Sequence, residues 1–229
     1  NNLELYQDAM VHESYTIGKI KEVCSRDNVK VVKNPDGCML LRENSYERLE
    51  FLGDAILGMI VARYLYERYP DQNEGFLSKM RTKIVNGKML GHLANKVGFP
   101  KFAIISKQIE DSQGRDNYKI MEDIFEAFIG AIYMDFQDDT VEINSDSSSK
   151  IVPFSGSGYY IAEVWVITIL EKYIDFAELI QSKTNFKDML VRYMQHSFQD
   201  APRFFEVSID IRNNKKTFKY CVKDRAGLV

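Results

Sequence analysis

Apolar residues recur with helical spacing through most of this 229-residue chain, and with alternating spacing near its end. The helical periodicity predicts helices that cover residues 3–16, 45–69, 73–85, 87–97, 117–136, 159–180 and 185–195. The alternation predicts two strands, which cover residues 204–211 and 217–222. The pattern therefore favours a mainly α protein that ends in a small α+β module.

Polar segments interrupt this pattern and suggest how the chain is organised. Residues 18–43 are interpreted as an insertion, in which the turn sequence Asn34-Pro35-Asp36-Gly37 separates two apolar runs and predicts a small β-hairpin. Residues 106–117 suit a loop, and the Ser- and Gly-rich residues 137–158 suit a flexible insertion. We expect one domain over residues 1–182 and a second over residues 183–229.

The helix predicted over residues 45–69 carries acids on an otherwise apolar surface. Glu47, Glu50 and Asp54 are spaced i, i+3 and i+7, so they share one stripe. Burying uncompensated carboxylates is unfavourable, and a bound cation is the usual compensation. Ligand sets made only of oxygen favour a hard cation such as Mg²⁺. The alternative is that these acids are solvated, or are paired with Arg48 or with lysines elsewhere.

A second acidic helix, over residues 117–136, strengthens the metal hypothesis. Asp123 and Glu126 are spaced i, i+3, and Gly130 continues their face and leaves room for another helix or a ligand. Glu122 lies off this stripe and is interpreted as an ordinary surface charge. The two helices together predict one shared metal site.

Four ordered motifs resemble those of the ribonuclease III family. They are Ala9-Met10-Val11-His12-Glu13-Ser14-Tyr15, Glu47-Arg48-Leu49-Glu50-Phe51-Leu52-Gly53-Asp54-Ala55, Glu74-Gly75-Phe76-Leu77-Ser78-Lys79-Met80-Arg81 and Asp123-Ile124-Phe125-Glu126-Ala127-Phe128-Ile129-Gly130-Ala131. The resemblance implies an all-helical endonuclease domain that hydrolyses double-stranded RNA with Mg²⁺, or with Mn²⁺ in its place. Its products would carry 5′-phosphate and 3′-hydroxyl ends with short 3′ overhangs.

The resemblance also implies roles for individual residues. The metal ligands and catalytic acids would be Glu50, Asp54, Asp123 and Glu126. Supporting positions are Glu47, Glu74 and Lys119, and Lys119 would lie near the scissile phosphate. Tyr46 is a departure, because the family usually has Asn there.

Staggered cleavage of a duplex needs two sites, which a two-fold homodimer provides. Glu47 and Phe51 fall where family members make dimer contacts. For Phe51, burial in the intramolecular core is an equal alternative.

The last segment resembles the first helix and first two strands of a double-stranded-RNA-binding domain. Candidate RNA contacts are Arg192, Gln195, Lys215 and Lys216. The third strand and the second helix of such a domain are missing, so we expect either a shortened chain or a degenerate module.

Charge gives a mixed signal for RNA binding. The net charge is −3 and the pI is about 5.7, whereas residues 187–229 carry nine basic and five acidic residues. Lys79, Arg81, Lys83 and Lys88 form a basic run that could meet phosphates or be a solvated helix face.

The remaining composition suggests a location. The three cysteines are widely spaced, so we expect no zinc site and we expect the thiols to be reduced. We expect no membrane span and no secretory signal, and therefore an intracellular, cytoplasmic or nuclear protein.

Three functional interpretations remain open from the sequence. The first is an active Mg²⁺-dependent endoribonuclease. The second is a catalytically silent RNA-binding relative, although the four acids are intact. The third is a helical scaffold, in which the two acid pairs would lie far apart.

Overall fold

The computed structural model describes residues 2–27, 37, 39–137, 140–145, 148–153, 156–182, 186–199, 201–212 and 215–223. Ten α-helices occur in these residues: α1 Leu3–Asp8, α2 Ile17–Asp27, α3 Glu47–Arg68, α4 Glu74–Ile84, α5 Gly87–Val97, α6 Lys107–Asp111, α7 Tyr118–Asp135, α8 Gly158–Tyr173, α9 Phe176–Gln181 and α10 Phe186–Phe198. Two antiparallel hairpins pair β1 Thr140–Ser145 with β2 Ser148–Pro153 and β3 Arg203–Arg212 with β4 Lys215–Lys223. The prediction of a mainly α fold is confirmed.

The chain divides into two compact units, residues 1–180 and 181–229. In the first unit α7 lies at the centre and packs against α3, α5 and α8. Because α7 is packed on most sides, apolar residues cover most of its circumference. The fully buried ones are Met121, Ile124, Phe125, Ala127, Ile129 and Ala131. In the described chain, no helix is both long enough and apolar enough to cross a bilayer.

The second unit is small and exposes much of its apolar surface. It contains α10 and the β3–β4 hairpin, whose register shifts between Glu206 and Ser208. Several large side chains of the two strands are exposed, among them Phe205, Val207 and Phe218. A single hairpin buries little surface by itself.

The predicted boundaries of the central helices hold to within two residues, but two other helix predictions are wrong. The helix expected over 3–16 ends at Asp8, because Val11 then pairs with Ile104 in an isolated β-bridge. The helix expected over 159–180 is broken after Tyr173. There the Asp175 carboxylate accepts hydrogen bonds from the amides of Ala177 and Glu178 and begins α9.

Both predicted insertions contain regular structure. Helix α2 occupies the start of residues 18–43, whereas the hairpin expected around Asn34–Gly37 lies outside the described residues. Residues 137–158, expected to be flexible, include the β1–β2 hairpin. Its β-branched residues favour strands despite the surrounding serines. The loop expected over 106–117 includes α6 and a 3₁₀ turn at Gly114–Asp116.

Candidate metal centre

A glycine contact between α3 and α7 places the two acidic helices side by side. A Cβ on Gly53 would overlap the carbonyl oxygen of Glu126, and a Cβ on Gly130 would overlap that of Leu49. The two backbones therefore touch at a crossing that only glycine permits. Glu50 lies next to this contact on α3, and Glu126 lies at it on α7. The sequence thus builds the close approach from the same short segments that carry the acids.

Three carboxylates converge at this crossing. One oxygen from each of Glu50, Asp123 and Glu126 lies within 4.8 Å of the other two. Asp123 is 7% exposed and Glu126 is 6% exposed, while Glu50 is partly buried. The prediction that the two acid pairs would lie far apart, made for a simple scaffold, therefore does not fit this geometry.

The proximity of these acids changes their protonation. Burial, with the charge of Asp123 second, raises the pKa of Glu50 to about 7. Burial, with the charges of Asp54 and Glu122 next, raises the pKa of Glu126 to about 8. Both shifts arise mainly because burial removes the carboxylates from water, and repulsion from the neighbouring negative charges adds to this effect. A cation at this point would relieve that repulsion.

Lys119 supplies positive charge at the mouth of the cluster. Its ammonium lies 2.7 Å from Asp123 Oδ1, 3.4 Å from Glu122 Oε2 and 3.9 Å from Glu50 Oε1. Its side chain is 64% exposed, so the charge also faces solvent. The position fits the predicted role beside a phosphate, because one ammonium can face the acids and a bound anion together.

The other predicted acids lie outside the three-carboxylate group. Asp54 is exposed on α3, yet its charge is the largest electrostatic contribution to the raised pKa of Glu126. Glu47 is exposed and accepts a 2.9 Å hydrogen bond from Ser45 Oγ. Glu74 is exposed at the start of α4 and accepts a 2.6 Å bond from Ser78 Oγ. Asp54 is thus placed to join the site from its open side, and its role stays a prediction.

Glu122 belongs to this environment, contrary to its interpretation as an ordinary surface charge. Its side chain is mostly buried, contacts Lys119 and raises the pKa of Glu126. Its carboxylate lies against Gly87 at the N-terminus of α5, where a Cβ would collide with Oε2. The i, i+4 spacing of Glu122 and Glu126 was the available signal.

One member of the basic run on α4 and α5 departs from the prediction, because Lys79, Arg81 and Lys88 are exposed but Lys83 is not. Lys83 is buried, and its ammonium donates to the carbonyl oxygens of Leu179 at 2.5 Å and Ile180 at 3.4 Å. Burial lowers the pKa of Lys83. Lys83 is therefore engaged with the end of α9 and is not available to a phosphate.

Phe51 is 84% exposed, so the intramolecular-core alternative for this residue is wrong. Met59 and Tyr66 are also exposed farther along α3. Their spacings from Phe51, i+8 and i+15, put all three on one side of the helix. The outer face of α3 is thus an apolar surface next to the acidic cluster.

The predicted RNA contacts lie in the second unit. Arg192 and Gln195 are exposed on α10, and Lys216 is exposed on β4. The Lys215 side chain lies outside the described residues. Their roles stay predictions.

The donor set fits a hard divalent cation. All the convergent atoms are carboxylate oxygens, and Mg²⁺ prefers one or two carboxylates together with water and phosphate oxygens. The partly exposed Glu50 and the exposed Asp54 leave one side of the cluster open for such ligands.

Several known proteins are similar to this chain in sequence or in fold. The family profile described as Ribonuclease III domain matches residues 47–137. Putative protein A464R of Paramecium bursaria Chlorella virus 1 is 36% identical over 165 residues, 72% of this chain. Ribonuclease 3 of Listeria innocua is 35% identical over 192 residues, which cover 84% of this chain and 71% of that protein. A crystal structure of the nuclease domain of ribonuclease III from Campylobacter jejuni aligns with a TM-score of 0.54 and 26% identity, covering 75% of this chain and 88% of that one.

The structural similarity shows that the fold is that of a ribonuclease III nuclease domain. The chain belongs to the ribonuclease III family. The resemblance carried by its four motifs is thereby confirmed. The chain spans 52% of the length of the viral relative.

Proposed function

We propose that this protein is a Mg²⁺-dependent endoribonuclease that hydrolyses double-stranded RNA. The observation that carries the proposal is the convergence of Glu50, Asp123 and Glu126 at the α3–α7 crossing. A silent relative would have no need to keep three carboxylates together against the burial and the mutual repulsion that raise the pKa values of Glu50 and Glu126.

The chemistry of phosphodiester hydrolysis explains the site. Water must lose a proton near neutral pH, and negative charge then accumulates on a phosphate that already carries one. Bound Mg²⁺ supplies a water of lowered pKa and neutralises part of that charge. Glu50, Asp123 and Glu126 would hold the ion, and Mn²⁺, which also accepts oxygen ligands, would substitute.

Two further side chains act from the open side of the site. Asp54 would complete the acid set once the site is loaded, because its carboxylate already acts on Glu126 from solvent. Lys119 would place its ammonium against the phosphate, while its contact with Asp123 keeps it at the cluster. Cleavage by this site leaves a 5′-phosphate and a 3′-hydroxyl.

A homodimer would align two such sites with the two strands of the duplex and produce short 3′ overhangs. The apolar outer face of α3, centred on Phe51 and flanked by Glu47, is the surface we assign to the partner copy. Exposure of so large an aromatic residue on a helix with a complete core face supports the assignment.

The second unit would add affinity for the duplex through Arg192, Gln195, Lys215 and Lys216. Residues 187–229 have an excess of basic residues, nine against five acidic ones, whereas the whole chain is acidic. Duplex RNA is an intracellular substrate, so we place the activity in the cytoplasm or the nucleus.

The decisive experiment is cleavage of an end-labelled RNA duplex with Mg²⁺, with EDTA, and by the Glu126→Gln variant. Glu178→Gln is the matched control, because Glu178 is an exposed acid on α9. We expect discrete Mg²⁺-dependent cuts in the wild type and the control, and binding without cuts in Glu126→Gln. Binding without cuts by the wild type would identify a silent relative. Unchanged turnover in Glu126→Gln would refute the site assignment.

The dimer has its own test, which is sedimentation of the wild type and of Phe51→Asp. Phe102→Asp is the control, since Phe102 is also a highly exposed phenylalanine of the first unit. We expect Phe51→Asp alone to shift the protein to monomer. A monomeric wild type would exclude the arrangement.

A further inference from the structure

We propose that Tyr46 is a positioning residue that holds the carboxylate of Asp123 in the orientation that binds the metal ion. This inference rests on the proposed function, because it assumes that Asp123 is a ligand. The Tyr46 hydroxyl donates to Asp123 Oδ2 across 3.3 Å, in a buried contact between residues 77 positions apart. Tyr46 is 4% exposed, so water cannot readily replace it.

The backbone of Tyr46 is tied to the other side of the cluster. Its carbonyl oxygen accepts a 2.8 Å hydrogen bond from the amide of Glu50, and its own amide donates to Val11 O at 2.8 Å. Tyr46 is the N-cap residue of α3. One residue therefore contacts Asp123 through its side chain and fixes the start of the helix that carries Glu50.

The ring of Tyr46 is also held in place. It packs edge-on against the His12 ring, with centroids 5.7 Å apart and planes at 77°. His12 Nδ1 in turn accepts a 3.0 Å bond from the amide of Ser14, and Ser14 Oγ accepts a 3.1 Å bond from the amide of Ser106. These contacts restrict the ring, so the hydroxyl is presented to Asp123 from a rigid support.

Tyr46 and Lys119 contact different oxygens of the same carboxylate. Tyr46 faces Oδ2, whereas Lys119 lies 2.7 Å from Oδ1. The lysine charge competes electrostatically with a bound cation, but a neutral hydroxyl does not. A tyrosine hydroxyl is protonated near neutral pH, so this residue is a donor. The tyrosine can therefore orient the ligand in the empty and the loaded site alike.

The expected effect follows from the known role of groups that orient metal ligands. Their removal typically weakens metal binding about 10–100-fold. The hydrogen bond from Tyr46 is longer than the usual hydroxyl–carboxylate distance. We therefore expect the lower end of that range, about tenfold.

The test is direct titration with Mn²⁺, followed by its electron paramagnetic resonance signal, on the full chain without RNA. The variant is Tyr46→Phe, which removes the hydroxyl and keeps the ring. Tyr64→Phe is the matched control, because Tyr64 is a buried tyrosine of the same helix, 8% exposed, whose hydroxyl donates to Glu171. Thermal unfolding of both variants measures the general effect of losing a buried tyrosine hydroxyl.

We expect Tyr46→Phe to raise the half-saturating Mn²⁺ concentration about tenfold, while Tyr64→Phe leaves it unchanged. Excess Mn²⁺ should then restore duplex cleavage by Tyr46→Phe, because the ligands remain in place. Equal Mn²⁺ affinity in Tyr46→Phe and the wild type would overturn the role of Tyr46 alone. A wild type with no saturable Mn²⁺ site would instead overturn the proposed metal centre. An equal loss of affinity in both variants would overturn the specific role of Tyr46, because general destabilisation would then explain its effect.

Discussion

The two helices that form the acidic cluster bury their carboxylates to different degrees. On α7, Asp123 and Glu126 are buried, whereas on α3 Glu47 and Asp54 are exposed and Glu50 is intermediate. The difference follows from position, because α7 is the central helix of the first unit, whereas none of the residues that the structure describes covers the outer face of α3. One half of the site is thus fixed by the core, and the other half is open to ligands.

Burial of the α7 acids has an energetic consequence. The charged form of Glu126 is disfavoured in the folded chain, which raises its pKa to about 8. An acid held in this way opposes folding of the empty protein but is already in place for a cation. Asp54 is exposed, so its carboxylate can reach a bound metal ion without such opposition. The comparison therefore separates acids that are preorganised from those that join on binding.

The largest effect should come from neutralising one acid of each kind. Asp54→Asn and Glu126→Gln should each slow cleavage about 1,000-fold, since several kcal/mol of charge stabilisation would be lost. The stabilities of the two variants should differ.

Without metal at pH 8, Glu126→Gln should melt several degrees higher than the wild type, because the disfavoured charge is gone. The melting temperature of Asp54→Asn should stay close to that of the wild type. Cleavage rates and calorimetry measure both; equal melting shifts would mean that burial does not distinguish the two helices.

The next largest effect should come from the contact that joins the two helices. Gly130→Ala places a methyl group against the carbonyl oxygen of Leu49, and the backbone must move to accept it. We expect a loss of about 2–3 kcal/mol in the free energy of unfolding, together with weaker metal binding. Gly18→Ala is the control, because nothing lies near a Cβ at this exposed position of α2. Denaturant titrations that gave equal changes for both variants would contradict the close crossing.

The sequence predicted this crossing only in part, and the reasons are physical. Apolar spacing located α3, α4, α5 and α7, since each buries one face against a shared core. The i, i+3 spacings identified Glu50, Asp123 and Glu126. The Gly130 position was seen as space beside the acids. That it is filled by the backbone of α3 depends on helix packing, which one helix sequence does not contain.

Two of the errors occurred where tertiary contacts override the local pattern, and one where a local cap begins a new helix. Lys83 looks like part of a solvated basic run, but its ammonium finds the carbonyl groups at the end of α9. Asp175 fits an uninterrupted helical pattern, but its carboxylate caps a new helix. Glu122 looks like a surface charge until Lys119 and the start of α5 are placed beside it. The partners of Lys83 and the contact of Glu122 with Gly87 are distant in sequence, whereas the partners of Asp175 are only two and three residues away.

A smaller effect should appear in the pH dependence of stability. The pKa of Glu126, about 8, and that of Glu50, about 7, lie above the ordinary value of 4.5, so the folded state binds these protons more tightly than the unfolded state. Their stabilising contribution is complete below pH 4.5 and is lost as the pH rises through 7 and 8. The metal-free protein should melt about 3–6 °C lower at pH 8.5 than at pH 5.5.

Calorimetry between pH 5.5 and pH 8.5, with and without Mg²⁺, tests this decrease of the melting temperature with pH. Mg²⁺ should stabilise the protein more at the higher pH, because it binds the charged carboxylates. Glu126→Gln should flatten the slope, whereas Glu178→Gln should leave it unchanged. A metal-free protein whose stability rises over this range would show that Glu126 and Glu50 are charged in the folded protein at little cost.

The smallest effect should come from Lys119, which spans the two kinds of acid. Its ammonium lies 2.7 Å from the buried Asp123 and 3.9 Å from the partly exposed Glu50. Lys119→Met should lower the melting temperature of the metal-free protein by about 1–2 °C at low salt, since solvent screens an exposed ion pair. The loss should shrink at high salt and with saturating Mg²⁺, because other cations then compensate the acids. Lys101→Met, at an exposed lysine of the first unit, is the control. A destabilisation that persists with Mg²⁺ would indicate that Lys119 supports the fold through packing rather than through its charge. The α3 side of the site would then be more closely packed than the exposure of its side chains indicates.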